Sequence, residues 1–124
     1  MPDENPLIGL VIRYAFLWSD QARRGAIEGV KDRPCVVIFA TRRRADGRWL
    51  VRVLPITTRP PDDPDATMTI PAKVRRRLGL DAEESWIVLT ELNQFIWPGP
   101  DIRPLPGRLS TAWSYGTLPA DFFD

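Results

Sequence analysis

Histidine is absent from these 124 residues, cysteine occurs once, and only two of the seventeen basic residues are lysine. No run of apolar residues is long enough to span a bilayer, and the opening Met1-Pro-Asp-Glu-Asn-Pro6 has no apolar signal core. Each absence removes a class of function. Without histidine there is no imidazole acid–base pair, and with one cysteine there is neither a thiolate metal site nor an internal disulfide. Cys35 lies in an apolar run with no histidine to activate it, so it reads as a small buried hydrophobe. These absences fit a cytoplasmic protein, away from membranes, that works without cofactor or metal.

The apolar content of 44%, with five Trp, five Phe and two Tyr, suffices for one compact domain over residues 1–124, with 1–8 as an N-terminal tail. Net charge is +1, unevenly spread. From Arg13 to Arg59 eleven basic residues face four acidic ones, a local charge of +7, and acids gather at Asp62–Asp65 and from Asp81 to Glu91. Such a segment reads either as a polyanion site or as an ordinary solvated face. The excess of Arg favours bidentate phosphate contacts.

Leu10–Leu17 is rich in β-branched and aromatic residues and predicts a first strand, followed by a polar loop from Trp18 to Asp32. Cys35–Ala40 predicts a central strand, and Asp46-Gly47 turns the chain into a partner strand over Trp49–Ile56. Arg59–Asp65 predicts an exposed loop. Ala72–Leu78 predicts a helix of two turns, with Pro71 at its start and Gly79 as its left-handed stop. Trp86–Leu89 and Phe95–Trp97 predict further strands, and Ala120–Asp124 a helix start. The pattern specifies a small, mainly β barrel (α+β) with one or two short helices.

Asp32-Arg33-Pro34 opens the central apolar run, and the partner run ends in Leu54-Pro55-Ile56-Thr57-Thr58. With histidine and metal clusters excluded, Arg33 at a strand start and Thr57 at a strand end are the best candidates for chemistry. This order of strand, Gly-containing loop, Arg-Pro, apolar strand, hairpin and Pro-Ile-Thr resembles the MazF/PemK family of toxin ribonucleases. Leu89–Trp97 and Gly116–Phe123 add to the resemblance, which covers most of the chain from Gly9 onward. The usual Arg-Gly-Asp opening is replaced by Ile8-Gly9-Leu10, and the C-terminal helix is cut to one turn.

The resemblance implies an SH3-like barrel of the MazF/PemK/CcdB type that forms a homodimer, cleaves single-stranded RNA without metal, and is inhibited by a cognate antitoxin protein. It places the catalytic arginine on Arg33, the threonine on Thr57 with Thr58 one register away, and the loop glutamate on Glu28. A guanidinium can grip a five-coordinate phosphorane and a Thr hydroxyl can donate to it. Arginine stays protonated, so Glu28 is the better base. RNA contacts are expected from Arg23, Arg24, Lys31, Thr58 and Arg59. Arg42, Arg43 and Arg44 read as a phosphate rail or a soluble hairpin tip, and Trp18 and Trp97 as base-stacking or core residues. Met68–Leu80 is similar to the strand–proline–helix segment of AbrB-type DNA-binding domains, which defines a competing reading. A third is a MazF-like barrel that binds RNA or a partner without cutting.

Overall fold

In the computed structural model, residues 6–25, 32–80, 83–105 and 113–122 are described. Among them are eight strands: β1 Leu10–Ala15, β2 Asp32–Arg42, β3 Trp49–Thr57, β4 Thr67–Thr69, β5 Trp86–Val88, β6 Asn93–Trp97, β7 Ile102–Arg103 and β8 Ser114–Thr117. Two short helices, α1 Ser19–Arg23 and α2 Ala72–Leu78, and a 3-10 turn at Pro64–Ala66 complete the elements. The sheet is antiparallel throughout, in the order β4-β5-β3-β2-β1-β7, with β6 also on β3 and β8 also on β1.

The central strands are apolar on both faces because both faces are covered. One core holds Ile12, Tyr14, Phe16, Cys35, Val37, Val51, Val53 and Trp97; the other holds Val11, Val36, Leu54, Ile56, Ile70, Leu78, Ile87 and Leu118. Adjacent residues such as Val36 and Val37 thus point into different cores. Each fully buried aliphatic side chain contributes about 1.5–3 kcal/mol. The expected central strand and hairpin partner are both present, but β2 is longer than its apolar run. It survives its polar half because a bulge at Ile38 shifts the register from Val37↔Val53 to Phe39↔Arg52. Ile38 and Phe39 thereby share a face, and the Arg52 guanidinium lies 4.7 Å over the Phe39 ring.

β5 and β6 run along the same side of β3 as one interrupted strand. Thr57↔Trp86 and Ile56↔Ile87 form one ladder, Val53↔Asn93 to Trp49↔Trp97 the next. Between them, Leu54 and Pro55 of β3 stand opposite the five residues Val88–Leu92. Pro55 has no N–H to give to an outer partner, so an interruption there forfeits little pairing.

α2 occurs where the sequence places it, with Pro71 as its N-cap and Gly79 at φ +73° closing it. The Leu80 and Gly79 N–H groups bond back to the Arg75 and Arg76 carbonyls, and Leu80 and Val74 both pack on the second core. The segment that resembles an AbrB-type motif is therefore integral to this sheet's packing. Four elements lie where the sequence reading placed loops or connections: α1, β4, β8 and β7, the last within the Pro98–Gly107 stretch expected to be a stiff connection. Residues 119–122 form a turn rather than a described helix. Among the described residues, no helix is long and apolar enough to cross a membrane.

Candidate functional site

The β2–β3 ladder begins at Cys35↔Pro55, and carrying its register two residues further sets Arg33 across from Thr57. Alternation puts both side chains on the face of Cys35 and Val53. Two residues 24 positions apart in sequence thus meet because a hairpin brings a strand start beside a strand end. Both line one open cleft of about 640 Å³, with Trp18, Asp20 and Gln21 on one side and Thr58–Asp63 on another. Thr67 of β4, Val88 of β5 and Thr90 close it.

Arg33 is held, and among the described residues no carboxylate pairs with it. Its guanidinium carbon lies 4.9 Å from the centre of the Trp18 ring, a cation–π arrangement. Its Nε is buried and has no hydrogen-bond partner among the described residues. Burial pushes the guanidinium below its ordinary value, opposed by the neighbouring Cys35 thiol. The group nevertheless stays charged at any physiological pH. A buried, cationic donor without a partner costs free energy, and an oxyanion in the cleft would recover it. By contrast, the adjacent Asp32 faces the other way, between Arg13 at 3.8 Å and Arg103 at 3.6 Å.

Thr57 is oriented by its own turn. Its Oγ1 accepts the Arg59 N–H at 3.1 Å, which leaves its hydroxyl proton free to be donated. Trp18 is fixed from a distance. Asn93 accepts the Leu17 N–H at 2.8 Å and donates to the Leu17 carbonyl at 2.7 Å, replacing a strand partner. The Glu91 carboxylate takes both the N–H and the hydroxyl of Ser19, at 2.8 and 2.7 Å. Gln21 Oε1 accepts the Trp18 N–H at 3.1 Å, closing the first turn of α1. Glu91 belongs to the excursion opposite Pro55 and Asn93 begins the ladder after it, so the interruption in pairing positions the tryptophan behind Arg33.

Comparison with protein-family models, with curated proteins and with solved structures finds no match. The site therefore rests on its own geometry. Of the expected residues, the cleft unites Arg33, Thr57, Thr58 and Arg59. Glu28 and Lys31 lie outside the described residues. Arg23 instead borders a second cleft on the far side of α1, and Arg24 is 4.0 Å from Asp20 one helical turn away. Arg42, Arg43 and Arg44 stand at the other end of β2, roughly 30 Å from Arg33 at the rise of a strand. There Arg42 lies over Trp49 at 5.3 Å and Arg43 pairs with Asp46 at 3.4 Å. Trp97 is buried in the first core.

Three carboxylates, Asp20, Asp62 and Asp63, also line the cleft. The sequence reading placed Asp62 and Asp63 in an exposed loop and passed over Asp20. Asp63 accepts the Asp65 N–H and so starts the 3-10 turn. The cleft is accordingly mixed in charge rather than a uniform basic groove. Among the described residues, no three of His, Cys, Asp and Glu gather closely enough to hold a metal ion.

Proposed function

We propose that this chain is a MazF/PemK-type toxin, an endoribonuclease on an SH3-like barrel that cuts single-stranded RNA by attack of a 2′-hydroxyl on its neighbouring phosphate. The observation that carries the reading is half-buried Arg33, whose Nε is enclosed without a hydrogen-bond partner among the described residues, in one cleft with Thr57, which the continued β2–β3 register sets across from it. In the reaction the 2′-oxygen bonds to phosphorus and the bond to O5′ breaks, giving a 2′,3′-cyclic phosphate and a free 5′-hydroxyl. The Arg33 guanidinium and the Thr57 hydroxyl stabilise the charge that grows on the non-bridging oxygens. The proton leaves the 2′-hydroxyl for a carboxylate, Glu28 or the cleft's Asp20, and one is returned to O5′. Because Trp18 occupies one face of the guanidinium, the phosphate approaches through its N–H edge.

On this reading the protein acts in the cytoplasm as a homodimer and is restrained by a cognate antitoxin protein. The test is cleavage of a mixed-sequence single-stranded RNA in EDTA. The wild type should yield cyclic or 3′-phosphate ends, and Arg33→Ala should lower the rate by about a hundredfold or more while melting at the wild-type temperature. Intact RNA with sequence-specific retardation of duplex DNA would replace this reading with the AbrB-type one. RNA binding without cleavage would leave a non-catalytic module.

A further inference from the structure

Among the described aromatic residues, Phe39 and Trp86 alone pack against neither core. Phe39 is covered by Arg52, whereas Trp86 has no ring or cation partner among the described residues. Trp86 is nevertheless held firmly. It is paired on one side with Thr57 and on the other with Thr69, in the middle of a three-strand row. Residues directly opposed in an antiparallel ladder point to the same face, with Cβ atoms about 5 Å apart. Thr57 lines the cleft, and so do Thr67 and Val88, each two residues along from Thr69 and Trp86. The indole therefore stands on the cleft's face, just beyond its Thr57 wall, between two hydroxyls.

We infer that Trp86 is a nucleobase-stacking surface that takes the base of the nucleotide whose phosphate lies at Arg33 and Thr57. This rests on the ribonuclease reading and names a subsite for its substrate. An indole retained on a sheet face without joining a core gains little for the fold, since its area stays partly wet. Placed beside a phosphate-binding arginine, it offers what an unpaired base needs, a flat apolar face with polar rims. A duplex, whose bases are already stacked, cannot use it, so the same residue selects for single strands. Thr57 and Trp86 are close enough for one nucleotide to span them.

The test is binding of a fluorescently labelled single-stranded DNA 12-mer of mixed sequence, which lacks the 2′-hydroxyl required for cleavage. Trp86→Ala should weaken it roughly 5- to 100-fold, the effect of losing one stacked base. Trp86→Phe should restore most of the affinity, and inorganic polyphosphate should bind all three proteins equally. Trp86→Leu keeps bulk without a π-face. It should bind as weakly as the alanine variant, which keeps the test decisive if alanine unfolds the sheet. Equal 12-mer binding by the wild type and Trp86→Leu overturns the stacking proposal and leaves the ribonuclease reading intact. Failure of the wild type to bind any single strand at low salt removes both.

Discussion

Raising the pH from 7 to 10 should destabilise this protein through Cys35, a group the proposed chemistry does not use. Cys35 is fully buried in the first core, where its thiol donates a weak hydrogen bond to the Arg33 carbonyl at 3.6 Å. Burial pushes the thiol's pKa up, far outweighing the pull of the Arg33 charge. Below about pH 8.5 the folded and unfolded chains both keep the proton, and the contribution to stability is complete. Above it the unfolded chain releases a proton that the folded one retains. Stability then falls by about 1.4 kcal/mol per pH unit until the folded pKa is reached. By pH 10 the loss from Cys35 alone is about 2 kcal/mol. Tyr14, also raised by burial with help from Asp101, adds a few tenths there and more above. Urea denaturation under reductant at pH 7, 8, 9 and 10 measures this in the wild type and in Cys35→Ala. The variant should start lower at neutral pH because of its cavity, yet lose about 2 kcal/mol less by pH 10, with unchanged m-values. Lysines titrate in both proteins and cancel in the difference. Parallel stability profiles would refute the argument, because they would mean the thiol ionises in the folded state as readily as in the unfolded one.

Two further predictions concern the site. Thr57→Val preserves a β-branched shape in the strand and removes the donor, so cleavage should fall roughly a hundredfold while stability changes by no more than about 1 kcal/mol. Thr57→Ser should keep most of the activity, and equal rates for Val and Ser would exclude the hydroxyl. Asn93→Ala strips both backbone groups of Leu17 of their partners, at a cost of about 1–2 kcal/mol by urea denaturation. By freeing Trp18 it should also slow RNA cleavage, whereas Asn93→Ala at wild-type speed would show that Trp18 needs no clamp.

What could be read from the sequence was local. Cys35–Ala40 is apolar without alternation, which in a short run signals a strand covered on both faces, and the two cores around β2 bear that out. Asp46-Gly47 and the Pro71–Gly79 bracket fix a hairpin and a helix by turn chemistry alone. What was not legible depends on distant partners. α1 has no apolar periodicity and is held by Glu91, more than seventy residues away. β4 is three residues long and exists because β5 accepts it. Arg33 and Thr57 were legible as candidates but not as neighbours, since the hairpin register that opposes them depends on a bulge no residue announces. The role of Asn93 was invisible for the same reason: an amide standing in for a strand can be recognised only beside the strand it replaces.

The excursion opposite Pro55 bears on how such a protein would diversify. The ladders on either side of it keep separate registers, so residues can be added to or removed from Leu89–Leu92 without turning any core side chain to the wrong face. That stretch touches both clefts through Thr90 and reaches the first turn of α1 through Glu91. On the ribonuclease reading, substrate preference can therefore be retuned by loop length at little risk to folding, and a proline in an adjacent strand is what keeps that freedom open.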